Sequence, residues 1–368
     1  WLEDYALFAA LKDHHGGRRW TEWEPGAALR EPAELSRRRT ELEDETGFWK
    51  FVQFVFFSQW LRVKRYCHEK GVTVIGDMPI YVAHDSAEVW SDPDVFQLDE
   101  SGEPLVVAGV PPDYFSSTGQ RWGNPIYRWD VMAKRGFDWW TRRFRINFTM
   151  FDMVRLDHFR GFEGYWEIPA AEDTAVNGRW VKGPGKALFD AVAARLGPLP
   201  VIAEDLGVIT REVDDLRDEL GFPGMRILQM AFGTDPKADE YLPHNHIFNS
   251  VVYTATHDHN TTAGWFTAEP GSNSTQTHEE VVAERDFVKA YLMHDSEPLH
   301  WTFIRAALAS PARLALFPMQ DLLGLGGECR MNMPGRPHGN WEWRMKEGQL
   351  MPDALERLCK LTRIYRRC

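Results

Sequence analysis

Three short apolar runs in this chain each end in a carboxylate, and the residue types around them suit chemistry at a sugar acetal. The first is Val154-Arg155-Leu156-Asp157-His158. Alternate residues of a strand share a face, so Arg155 and Asp157 point the same way. A guanidinium beside a carboxylate favours the ionised form, the state a glycosidic nucleophile needs. A structural salt bridge at a strand end would read the same. The second is Val201-Ile202-Ala203-Glu204-Asp205-Leu206-Gly207. Glu204 sits at the rim of an apolar strand, where desolvation raises a carboxyl pKa and suits a general acid. Asp205 points to the opposite side, and Gly207 permits a tight exit turn. A helix N-cap or an ion pair is the alternative for Glu204. The third is Thr254-Ala255-Thr256-His257-Asp258-His259. His257 and Asp258 can bond sugar hydroxyls. The rival is a metal set of His257, Asp258 and His259, aided by His244 and His246. HxH spacing is weakly specific and no HExxH motif or Cys pair accompanies it, so no metal is expected.

The carboxylates mean more together than singly. Retaining glycoside chemistry needs a nucleophile and an acid/base roughly 5–5.5 Å apart. Neighbouring strands lie about 4.8 Å apart, so Asp157 and Glu204 on adjacent strand ends meet that need. Asp77, after Val74-Ile75-Gly76, would reach the same face from another strand end. No GxSxG elbow supports a serine nucleophile, and no motif supports a cysteine one.

These residues need a scaffold that gathers strand ends. Six apolar runs, at 72–75, 153–156, 200–203, 225–230, 250–254 and 314–318, read as strands. Helical patterns lie between them at 48–70, 137–148, 185–196, 211–220, 279–293 and 300–309, and 351–366 closes the chain. Strand–helix alternation predicts an α/β protein with parallel strands. A doubly wound nucleotide binder should carry a glycine-rich phosphate turn, and none is present. A (β/α)8 TIM barrel is preferred, because its strand C-termini converge on one face. Six strands leave it two short, and the first two barrel strands are expected before Trp1. The expected organisation is 1–78, N-terminal helices and the first visible barrel strand; 79–136, an inserted subdomain and active-site loop; and 137–368, the remainder of the barrel.

Composition narrows the partner. The formal charge is −12, with no basic block, which argues against nucleic acid and anionic membrane surfaces. The longest apolar run, 5–11, is too short to cross a bilayer. Four scattered cysteines read as free thiols of a reducing compartment, so the expected location is the cytoplasm or a plastid stroma. Aromatic residues make up 13%, including 16 Trp. Most belong to a core, but some suit a cleft in which aromatic faces pack on pyranose rings.

At these residues the chain resembles the 4-α-glucanotransferases (amylomaltases or disproportionating enzymes), glycoside hydrolase family 77 of the α-amylase clan. The resemblance runs through Ile75-Gly76-Asp77-Met78-Pro79-Ile80-Tyr81, Gly109-Val110-Pro111-Pro112-Asp113-Tyr114-Phe115, Thr118-Gly119-Gln120-Arg121-Trp122-Gly123-Asn124-Pro125, the three carboxylate segments, Gln320-Asp321 and Arg330-Met331-Asn332-Met333-Pro334-Gly335. It implies that Asp157 is the nucleophile, Glu204 the acid/base and Asp258 the transition-state stabiliser, with Arg155 and His257 as helpers. It places Trp122 against an acceptor-side glucosyl unit, Tyr114 and Phe115 in a lid over the glucan, Asn332 and Pro334 in donor subsites, and Asp77 near the reacting sugar. His259-Asn260 departs from the more common Asn-Asp after the third carboxylate. The implied partners are α-1,4-glucans: maltooligosaccharides and amylose, with glucose as an acceptor. No cofactor is implied, and a monomer or weak homo-oligomer is expected. An α-amylase-like hydrolase and a truncated, inactive glucan-binding fragment are the competing readings.

Overall fold

The computed structural model describes residues 1–112, 116–235, 237–269, 277–294, 296–336 and 338–367. They form two compact units, Trp1–Phe222 and Pro223–Cys368.

The first unit holds strands β1 (Ile75–Met78), β2 (Val106–Val110), β3 (Gln120–Pro125), β4 (Met153–Leu156), β5 (Gly164–Pro169), β6 (Arg179–Lys182) and β7 (Val201–Ala203). Strands β1, β4 and β7 make a parallel sheet with β4 in the middle. Val154, Leu156, Val201 and Ala203 are buried in it. They pack into a core with Trp140, Phe144, Phe159, Phe162 and Phe189. The other four strands form an antiparallel sheet in the order β3-β2-β5-β6.

Strand β1 starts at Ile75, three residues beyond the start expected from the apolar run 72–75. Its register is fixed before the strand begins. Asp152 accepts a bond from the Val74 amide at 2.9 Å and donates its own amide to the Val74 carbonyl at 2.8 Å. Lys64, on the long helix Glu43–Glu69, pairs with the Asp152 carboxylate at 3.1 Å. It also caps the free carbonyls of Phe148, Thr149 and Phe151 at the end of helix Asp138–Met150. That clamp sets Asp77 opposite Arg155 in the ladder, so their side chains share a face. Helix Glu43–Glu69 itself leaves Phe48, Phe51, Phe54 and Tyr66 exposed.

Gly76 lies beneath the Phe151 ring; an added Cβ would stand 2.1 Å from that ring. Gly76→Ala therefore forces Phe151 out of place. Overpacking of this kind costs about 1–3 kcal/mol. We expect a Tm lowered by several degrees in calorimetry, with loss of activity as β1 shifts. An unchanged Tm would contradict this packing.

The second unit holds β8 (Gly224–Ile227), β9 (Ser250–Tyr253) and β10 (Leu314–Leu316), all parallel, in the order β10-β9-β8. Met225, Ile227, Val251 and Val252 are buried. Helices His278–Leu292, Leu299–Ala309 and Pro352–Ile364 belong to the same unit. Thr277 and Glu280 close the first of these with a reciprocal capping box. Asp321 is a buried structural carboxylate. It accepts bonds from the Thr254 hydroxyl and from the Thr262 amide and hydroxyl, and so ties the end of β9 to helix Thr262–Thr267. Among the described residues, no helix is long and apolar enough to cross a membrane.

Candidate active site

In the first unit the parallel sheet delivers Asp77, Arg155, Asp157 and Glu204 together. Arg155 is buried in the middle strand, and one guanidinium nitrogen, Nη1, serves two carboxylates. It bonds both oxygens of Asp77 at 2.8 Å and lies 2.9 Å from Asp157 Oδ1. Burial works against the Arg155 charge, but Asp157, Asp77 and Glu204 outweigh it and hold the guanidinium more firmly protonated than usual. Asp157 sits one residue beyond β4, its amide donating to Met78 O of β1 at 3.0 Å. The carboxylate is therefore oriented from two strands and still 38% exposed on its side chain.

Glu204 follows β7, which pairs with β4 through Leu156 and Ala203. It is buried. Its Oε2 accepts the His158 amide at 2.7 Å and its Oε1 the Leu206 amide at 3.0 Å. Burial, then the neighbouring charge of Asp157, pushes the Glu204 carboxyl well above its ordinary 4.5; Arg155 and the two amides pull only partly back. One carboxylate is thus clamped by a cation while its neighbour is biased to keep a proton, a division of roles that environment alone can set.

Two backbone features make the Glu204 cradle: the turn at Gly207, expected from the glycine, and a left-handed residue that no motif announces. His158 adopts a left-handed conformation, φ 50 and ψ 49, which aims its amide at Glu204. Gly207, at φ +82, turns the chain after Leu206. Burial and the charge of Arg160 hold the His158 imidazole neutral, its pKa down at about 3. Asp205 faces away and pairs with buried Arg217, which also binds Asp214 and Asp218. Trp122 on β3 sets its ring edgewise to His158, centroids 4.8 Å apart, and remains 38% exposed. Its Nε1 bonds Gln120. Tyr114 and Phe115 lie outside the described residues.

In the second unit Asp258 follows β9. Its Oδ1 accepts from Asn332 Nδ2 at 2.6 Å and its Oδ2 lies 3.2 Å from His257 Nε2. Asn332 also donates its amide to the His257 carbonyl at 3.1 Å, and Arg330 bonds the Asp258 carbonyl. Asn332 is therefore a holder of the carboxylate, a role its spacing in the sequence did not announce. Pro334, two residues on, is exposed. His259 bonds the Thr256 hydroxyl. His246 is occupied by Ser310 and the Tyr241 carbonyl, and His244 by Tyr291.

An α/β protein with carboxylates on adjacent parallel strand ends is the class that fold and site define. A family profile described as 4-alpha-glucanotransferase, glycoside hydrolase family 77, matches residues 1–350. A 4-alpha-glucanotransferase of Thermus thermophilus is 51% identical over 367 residues, spanning 97% of this chain and 71% of the relative. The chloroplastic/amyloplastic 4-alpha-glucanotransferase of Solanum tuberosum is 45% identical over 346 residues, spanning 94% of this chain and 58% of the relative. The amylomaltase of Streptococcus agalactiae, solved in complex with acarbose, matches with a TM-score of 0.93 at 38% identity, over 100% of this chain and 72% of that one. This chain belongs to the 4-alpha-glucanotransferases of glycoside hydrolase family 77.

Proposed function

We propose that this protein transfers an α-1,4-glucan segment from a donor maltooligosaccharide to the 4-hydroxyl of an acceptor glucan or glucose, by a retaining double displacement. The observation that carries the reading is the pair on neighbouring strands: Asp157 held by Arg155, and Glu204 biased to keep its proton.

Asp157 attacks the anomeric carbon while Glu204 gives its proton to the departing glycosidic oxygen. A shorter glucan leaves, and the donor segment stays as a glycosyl ester on Asp157. Glu204, now a carboxylate, takes the proton of the acceptor 4-hydroxyl as that oxygen displaces Asp157. As Asp157 becomes a neutral ester, the negative charge of the pair passes to Glu204, and Arg155, buried among Asp77, Asp157 and Glu204, stabilises it in either place. Asp258, fixed by Asn332 and His257, bonds the 2- and 3-hydroxyls of the reacting ring. Asp77 keeps Arg155 in place at the edge of that ring, and Pro334 lines the donor side. Trp122 gives an acceptor sugar an apolar face, and a covering from Tyr114 and Phe115 would keep water from the ester. No step calls for a cofactor or metal.

The sheet is read as part of an eight-stranded barrel. A cytoplasmic or stromal setting goes with this reading, since the substrates are storage glucans.

Incubation with maltotriose tests the reaction. We expect glucose together with a ladder of maltooligosaccharides longer than the substrate. Glucose and maltose without longer products would identify a hydrolase instead, and no products at all would point to a binding fragment.

A further inference from the structure

We propose that Trp341 is a sugar-stacking platform, a subsite for one glucosyl ring of the glucan adjoining Asp258. The inference rests on the glucan-transfer reading and assigns it a further contact.

Trp341 combines features that folding alone does not explain. Its backbone is left-handed, φ +62, a conformation that bulky side chains rarely adopt. Its side chain is 61% exposed, so the strain does not serve to bury the indole. The conformation is nevertheless firmly imposed. The Trp341 amide donates to Met331 O at 2.7 Å. The preceding Asn340 accepts the Met333 amide at 2.9 Å and donates to Arg336 O at 2.8 Å. The segment from Met331 to Trp341 is thereby drawn back on itself, and its first end is the one that carries Asn332 to Asp258.

The ring position follows from this. The Trp341 and His257 centroids are 5.0 Å apart with planes at 43°, and His257 bonds Asp258. A large apolar surface therefore stands in water beside the carboxylate assigned to the sugar hydroxyls. Local strain held by a well-bonded loop is the pattern of a ligand-contact position. The chemistry that fits is a neutral pyranose. Its C–H face covers the indole, while its hydroxyls lie within reach of the polar loop that holds Asn332. An ionic ligand would find no fixed counter-charge on the indole itself.

The test measures binding apart from turnover. Calorimetric titration of maltoheptaose into the Asp157→Asn protein is compared with the same protein carrying Trp341→Ala or Trp341→Phe. We expect Trp341→Ala to weaken binding on the order of tenfold. Trp341→Phe should restore most of it, and Tm should stay unchanged. In the otherwise native enzyme, Trp341→Ala should raise KM for maltooligosaccharides with kcat nearly constant, the signature of uniform binding. Equal affinity of the Ala variant and its parent overturns the platform while leaving the transfer reading intact. Loss of binding in both variants together with a lowered Tm overturns it too, because the ring would then serve only the loop. A parent protein that binds no maltoheptaose would sink the transfer reading, and this inference with it.

Discussion

Replacing Asp157 by Asn is expected to lower maltotriose disproportionation by roughly 10^4-fold or more, the scale seen when a covalent nucleophile is removed. The change is nearly isosteric, and the geometry says what it spares. The Asp157 amide still reaches Met78 O, and the carboxamide oxygen still accepts from Arg155 in place of Oδ1. Arg155 also keeps both bonds to Asp77. A fold held by these contacts should lose little, so Tm is expected within a few degrees of the parent. The effect should therefore fall on kcat rather than on stability. Chain-length analysis of the products checks it, and differential calorimetry supplies the control. Activity within tenfold of the parent would refute Asp157 as the nucleophile. A collapse of Tm would mean that the residue serves the fold first.

How much of this was legible beforehand depends on the kind of contact that decides each element. Strands β4, β7 and β9 follow the apolar runs closely, because burial on both faces of a parallel sheet demands such runs. Strand β1 does not. Ile-Gly-Asp-Met has weak strand propensity, and its place is set by the Asp152 clamp and by pairing with β4, interactions almost 80 residues apart in sequence. The antiparallel sheet was unread for a similar reason. Gln120–Pro125 is polar and carries Gly and Pro, and only pairing with β2, itself paired with β5, makes it a strand. In the site, side chains were readable and backbone was not. Arg155 beside Asp157 follows from alternation along a strand. The cradle around Glu204 depends on a left-handed His158 and on the Leu206 amide, and no residue type announces those donors. Trp341 belongs with them: its significance lies in a φ angle and an exposed ring, both invisible in a list of aromatic residues.

Glu204→Gln should separate the two carboxylates by role, through both rate and stability. Loss of a general acid/base typically costs 10^2- to 10^4-fold, and the alkaline limb of the native pH–rate profile, which reports the proton on Glu204, should disappear. A donor whose leaving group needs little protonation, such as α-maltosyl fluoride, should recover much of the first step in Glu204→Gln and none in Asp157→Asn. The stability effect has a definite sign. Below the ordinary 4.5 the Glu204 carboxyl is protonated in both folded and unfolded chains. As pH rises past 4.5, the unfolded chain loses the proton while the buried, Asp157-facing carboxyl keeps it. The folded state then binds more protons, so native stability falls with rising pH until the folded carboxyl also ionises. A carboxamide at this position does not titrate, so the variant lacks that dependence. The substitution also leaves one of the two cradling amides, His158 or Leu206, facing an NH2 group, a loss of about 1 kcal/mol at every pH. The expected signature is therefore a slope: Tm of the variant minus Tm of the parent should increase by a few degrees between pH 4 and pH 8. A difference that stays flat across that range would show that Glu204 ionises at its ordinary pKa and would remove the physical basis for calling it the acid.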